Sequence, residues 1–347
     1  MAATMYVTAA GAGVKDGTTW AKAMGSTEFI TDLTGSAEPG DIYYIAEGSY
    51  SLGGACTVNQ AGTSILPITL IGVKSGTSNE PPVYTDYADT NLSVSATDER
   101  PVITCSTYIF TFTNYCKVFN LIFTGSGTSV IATGTGGACI FYNVKSTNSS
   151  GTATRYAFNA GANSHFIKCE GISTNGSAFV SIYGGIGIFF CYFHASTTCI
   201  TLATIANYAI IAFTSLMGTF SPSTGISLAA MGGTKILNCS FWGLDTSITG
   251  TTAYGTVCIN GVFENTTDAF KWTTTKEDIN FLFSNHQGAS VTKMYDSATN
   301  KVADTAPHVD PEVTTGAPGW NTTGNFSLTY GSPCVDVGMS ASFFVGL

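Results

Sequence analysis

Charge is what this sequence has least of. Only 10% of its 347 residues are Asp, Glu, Lys or Arg, with 13 basic against 22 acidic side chains and a formal net charge of −9. Ordinary globular domains carry about 25%. No basic stripe exists to neutralise phosphates, which excludes a nucleic-acid partner. From Gly171 to Thr234, 64 residues contain no Asp, Glu, Lys or Arg, and the only arginines of the chain are Arg100 and Arg155. None of the ten cysteines forms a CxxC pair, which argues against structural zinc or a redox dithiol. No apolar run approaches the ~18 residues of a membrane helix, so no membrane insertion is expected. Residues 1–15 have neither a basic start nor a continuous apolar stretch, and a signal peptide is not expected there.

Glycine (39 residues), Ser, Thr, Asn and 12% aromatics take the place of the missing charge. That composition belongs to a folded, β-rich chain rather than to a disordered one. A short phrase recurs: Val118-Phe-Asn-Leu-Ile-Phe123, Phe141-Tyr-Asn-Val144, Ile167-Lys-Cys-Glu-Gly-Ile172, Ile188-Phe-Phe-Cys-Tyr-Phe193. It continues as Ile211-Ala-Phe-Thr-Ser-Leu216, Ile236-Leu-Asn-Cys-Ser-Phe241, Cys258-Ile-Asn-Gly-Val-Phe263 and Ile279-Asn-Phe-Leu-Phe283. The last residues of these phrases lie about 23 apart, and a second strand-like segment follows each after a Gly/Ser/Thr turn. No segment sustains a 3.6 period, and the fixed leucines of a leucine-rich repeat are absent. The period predicts an all-β solenoid of parallel strands, one coil per repeat, with Phe123, Phe193, Phe241 and Phe263 inward. Recurring Asn120/Asn238/Asn260 then stabilise tight corners, and Cys169/Cys191/Cys239 fill small core gaps as reduced thiols.

The two ends add a second signal. "YV…GTTWAKA" from Tyr6, "GDIYYIAEGSY" from Gly40, "LPITLIG" from Leu66, Asp310-Pro311 and "GSPCVDVG" from Gly331 occur in that order. In this the chain resembles the right-handed parallel β-helix, pectate-lyase-like superfamily, of the kind found in phage tailspikes and other virion proteins. The resemblance implies an N-terminal cap with a short amphipathic helix over residues 1–35 (Trp20–Leu33), a β-helix over 36–300, and a C-terminal capping segment over 301–347. It leaves function open, because the superfamily includes lyases, glycosidases, adhesins and virion proteins.

Enzymes of this fold place their chemistry on the lateral face of the middle coils, with paired carboxylates in glycosidases, or an Arg or Lys base and calcium-holding acids in lyases. Here that face is bare: between residues 101 and 244 the only acidic residue is Glu170. The weak catalytic candidates are Asp245, Asp268, Glu264 and His286, which successive coils would bring near one another. Each also suits a turn, as Asp310 and Asp336 suit the terminal segment. His194 reads as a packed side chain, and Trp242, Trp272 and Trp320 as gap-filling or interface aromatics more than sugar platforms. No cofactor and no metal are expected.

A surface without charge suits contact with protein, where charge is depleted and aromatics are enriched. The expected function is therefore a non-enzymatic structural protein of a phage or virus particle: a decoration, fibre or tailspike-like component located in the virion, possessing a possible glycan contact. Expected partners are further copies of itself, as a homotrimer, and other virion proteins. Lysines placed at the turn positions Ser196, Thr198 and Ser223 should weaken that association. The alternatives are a polysaccharide lyase or glycoside hydrolase, and a non-catalytic glycan-binding surface protein outside the cell.

Overall fold

The computed structural model describes residues 2–58, 61–88, 98–203, 208–218, 223–229, 233–250 and, further on, 256–259, 261–264, 268–272, 279–282 and 285–287. The chain is an all-β parallel β-solenoid of about eight turns with one short helix near its start. It divides into two compact units, Met1–Phe179 and Val180–Leu347. From Cys116 onward, each coil runs through a first strand, a two-residue corner, a second strand, a turn and a third strand.

In the first unit the first strands are Thr4–Val7, Ile42–Ala46, Ile68–Val73, Cys116–Phe119, Ile140–Tyr142 and His165–Ile167, all parallel and hydrogen-bonded in that order. The second strands, Ser49–Ser51, Val102–Ser106, Ile122–Gly125, Lys145–Asn148 and Glu170–Ser173, form a second sheet. The expected stretch Trp20–Leu33 divides at Gly25 into a 3-10 turn, Trp20–Lys22, and an α-helix, Ser26–Gly35. Gly25 donates its N–H to the Glu28 carboxylate at 3.1 Å, which starts the helix. Phe29 and Leu33 point from it into the core. The strand Thr4–Val7 already belongs to the first sheet, so pairing begins ahead of this helix. The core is aromatic: Phe110, Phe112, Phe123, Phe141, Phe158 and Phe166 are buried, and most of their contacts are edge to face.

In the second unit the first strands are Ile186–Phe189, Ala209–Ala212, Lys235–Leu237, Thr256–Ile259 and Ile279–Leu282. Its second strands are Tyr192–Ala195, Ser215–Gly218, Ser240–Trp242, Val262–Glu264 and Asn285–Gln287. Aliphatic Ile188, Ile200, Leu202, Ile211, Ile226 and Leu228 replace most of the rings in this core.

Register corrects the repeat phrase at three places. Phe123 lies opposite Ser146, which lies opposite Gly171. The inward line of the first unit therefore runs through Ser146 and Gly171, not Val144 and Ile172. In the second unit the line is Phe193, Leu216, Phe241, Phe263 and His286, so the last coil aligns on His286 rather than Phe283. Steps along both lines are 22 to 25 residues. Phe123, Phe193 and Phe241 are fully buried, as expected. The side chain of Phe263 lies outside the described residues.

The corner between first and second strands is built the same way throughout. One residue takes the left-handed conformation: Asn120, Asn143 and Lys168 in the first unit, with φ of 57°, 55° and 53°. In the second unit Phe190, Phe213 and Asn238 do so, with φ of 57°, 52° and 51°. After Lys168, Phe190, Phe213 and Asn238 the next side chain turns inward and donates to the carbonyl two residues earlier, whereas buried apolar Leu121 and Val144 follow Asn120 and Asn143. Cys169 donates to Ile167 at 3.4 Å, Cys191 to Phe189 at 3.3 Å, Thr214 to Ala212 at 3.0 Å and Cys239 to Leu237 at 3.3 Å. These cysteines are thus buried donors at a sharp bend as well as small core fillers. All nine described cysteines are buried thiols, and burial pushes Cys56, Cys105, Cys199 and Cys239 up to about 12. Asn260 and Cys334 lie outside the described residues.

Candidate functional site

Of the four sequence candidates, Asp245 is half-buried just before the third strand Thr246–Gly250, with its N–H on the Ser223 carbonyl at 2.9 Å. For Asp268, Glu264 and His286 the description stops at the backbone. Asp268 is in register with Thr246, one position beyond Asp245. Glu264 is in register with Trp242 and Gln287, and His286 with Phe263. The backbone therefore places Glu264 and His286 on adjacent register lines of one sheet, which belong to opposite faces of a pleated strand. Asp310, Asp336 and Trp320 lie outside the described residues, as do the side chain of Trp272 and the segment expected over 301–347.

The best-defined cluster of charges is one the sequence did not reveal, and it lies in the first unit. Arg100, just ahead of Val102–Ser106, has a side chain only 1% exposed. Its Nε and Nη2 donate to the two oxygens of Asp98 at 2.9 and 2.7 Å, a bidentate fork. Nη2 also reaches Glu170 Oε1 at 3.4 Å, and Nη1 donates to the Asn143 carbonyl at 3.2 Å. Lys145 Nζ closes the group on Glu170 Oε2 at 3.1 Å; the two residues start neighbouring second strands in register. Asn143 donates to Asn120 Oδ1 at 2.9 Å, tying the corner residues into the same network. Burial alone would raise the Asp98 carboxyl, but the Arg100 hydrogen bonds and charge, with Lys145, hold it below its usual range.

Two cations and two carboxylates cancel, and each is engaged by another. A group so paired has little left to offer a substrate, and its chemistry is that of a clasp across coils. The pairing spans 43 and 70 residues of sequence. The available signal was indirect: a charge-poor chain does not bury an arginine unpaired, and Glu170 is the lone acid in the 144 residues from 101 to 244.

The uncharged span has a different surface. In the second unit the outward positions of first and second strands carry Phe189, Ile210, Leu237, Tyr192, His194, Met217 and Trp242, with Lys235, Ser215 and Ser240 among them, all half-buried. Phe190 and Phe213 stand at the corner between those strands, 58% and 44% exposed, stacked at 4.8 Å and 8°. Tyr192 donates to Met217 Sδ at 3.2 Å. His194 packs beside Tyr192, its Nε2 has no hydrogen-bond partner, and burial lowers its pKa. It is a packed imidazole, as expected. Ser223 and Thr198 correct an expectation: Ser223 is buried and Thr198 opens the strand Thr198–Leu202, while Ser196 is a half-buried turn residue. Among the described residues no three His, Cys, Asp or Glu side chains group as metal ligands, and no helix is long and apolar enough to cross a membrane.

Sheet order, register and two-residue corners define a right-handed parallel β-helix of the pectate-lyase-like kind. Among solved structures the chain is similar to the pectate lyase Pel9A, with a TM-score of 0.61 at 14% identity, over 98% of this chain and 92% of that one. A protein of Geobacillus virus E2, ORF18, shares 13% identity at a TM-score of 0.44, over 84% of this chain and 58% of its own. The pectin methylesterase of Aspergillus niger shares 13% at 0.39, over 91% and 93%. At such identities the likeness establishes the fold alone. No family model and no curated protein matches the chain.

Proposed function

We propose that this protein is a non-enzymatic structural component of a phage or virus particle, docking through the uncharged face of its second unit. One observation carries the reading: between Val180 and Thr234 the described outward positions are apolar or neutral, while Arg100, Asp98, Glu170 and Lys145 of the first unit are spent on one another. Acid–base catalysis contributes about 10²–10⁴-fold per positioned group, so an enzyme gains by keeping such groups free on its main face. A neutral face instead lowers the desolvation cost of burying that face against protein. Self-association, as a trimer, and contact with other virion proteins belong to this proposal.

The competing reading is a polysaccharide lyase or hydrolase. It is favoured by the placement of Asp245 and Asp268 on neighbouring coils, one register position apart. Incubation with a panel of acidic and neutral polysaccharides decides between them. The structural reading expects no new reducing ends and no unsaturated products. Cleavage lost in Asp245→Asn or Asp268→Asn would establish the enzyme instead.

A further inference from the structure

Phe190 and Phe213 answer to neither of the rules that place the residues around them. Both are left-handed at the corner, with φ of 57° and 52°. Asn tolerates that conformation because its short polar side chain bonds locally, and Asn120, Asn143 and Asn238 hold corners of this type. A bulky aromatic gains nothing there. Nor do these rings fill the core, since about half of each stays in water. They are disfavoured by backbone and by solvent together, at two successive coils, and they lie against each other.

We propose that this ridge is where a second copy of the chain docks. The proposal rests on the assembly reading above for its premise that the uncharged face is a contact surface, and it adds the residues and the partner. Stacking covers one face of each ring with the other, and the pair together forms a continuous apolar ridge about half exposed. The flanks continue it, with Phe189 and Leu237 on one side and Tyr192, Met217 and Trp242 on the other. Residues 171–234 offer a charged partner no counter-charge for its lost hydration, and Lys235, in register with Ile210, stands at the edge of this face. The ridge has the spacing of the coils themselves, 4.8 Å. Another parallel β-helix repeats its surface at that interval. Copies packed side by side, as in the trimer of the assembly reading, set coil against coil, neutral against neutral and period against period. Exposed apolar patches of this kind mark association sites.

The test is the double substitution Phe190→Asn/Phe213→Asn in the full chain. Asn is the residue that this corner prefers, so the variant is expected to fold with an undiminished melting temperature. Sedimentation velocity over a wide concentration range is expected to show self-association of the wild type, weakened at least tenfold in the variant. Lys168→Asn, at the same corner of the first unit, leaves it unchanged. A photo-cross-linker at Phe190 in an otherwise unaltered chain gives a second readout: adducts should join two copies through peptides containing residues 186–217. A wild type that stays monomeric, or association indifferent to the double variant, overturns the proposal. Either result leaves the polysaccharide assay, and with it the non-enzymatic reading, standing on its own.

Discussion

The first and second units bend the chain at the same left-handed corner and put opposite chemistry there. In the first, Asn120 and Asn143 bond to each other, and Asn143 receives Arg100, whose charge is shared with Asp98, Glu170 and, through Glu170, Lys145. In the second, the corner carries two phenylalanine rings that stack on each other and stay about half exposed. At these corners the backbone takes one φ near 55° and turns the next side chain inward, Leu121 and Val144 after the asparagines of the first unit and the donors Cys191 and Thr214 after the phenylalanines of the second. It leaves the outward side chain to other demands. One unit uses that freedom to fasten its coils together, whereas the other leaves an apolar ridge. The lesson is that stability and association can be separated along a solenoid, coil by coil.

Breaking the clasp should have the largest effect. Arg100→Met leaves Asp98, Glu170 and the Asn143 carbonyl without their common donor. Because both carboxylates keep some solvent, the cost should fall at the low end of the range for a broken buried pair, about 3 kcal/mol. The expected outcome is a lower urea midpoint, with the unfolding of the first unit affected. An unchanged midpoint would mean that the network is ornamental and that the two corners differ in composition only.

A smaller effect sharpens the same contrast through pH. Burial favours neutral His194 in the folded second unit. Its contribution is fully present above the ordinary histidine pKa of about 6.5 and is lost as pH falls below it. Asp98 in the first unit is held below its usual range, so its contribution survives to about pH 4 and is lost only beneath that. Unfolding followed between pH 7.5 and 5 (roughly the histidine window) should therefore show a loss that His194→Gln reduces, the remainder being carried by His165, whose pKa burial also lowers, and that Asp98→Asn leaves in place. A loss untouched by the histidine variant would place the titrating group elsewhere.

Much of the fold was legible because inward Phe123, Phe193 and Phe241 repeat at coil spacing. The reading slipped where the inward residue is not apolar: Ser146, Gly171 and His286 share lines with those phenylalanines, and hydrophobic period alone passes over them. Asn120 and Asn238 announced corners because Asn favours the left-handed region, whereas Phe190 and Phe213 announce nothing of the kind. The charged clasp was hidden for another reason. Its members are far apart in sequence, and only the stacking of coils brings Arg100 to Asn143 and Glu170. The uncharged span was plain in the composition, but which of its side chains stand outward needed the register.

Radical footprinting read by mass spectrometry tests the central claim, that the neutral corner is a contact surface and the polar corner is not. Wild-type protein is labelled at low and at high concentration, and the reactivity of individual side chains is compared. The account predicts that Phe190 and Phe213 lose reactivity as concentration rises, while Tyr84 and Tyr115, exposed on the first unit, keep theirs. Equal reactivity of Phe190 and Phe213 at both concentrations, or equal protection of all four rings, would contradict it.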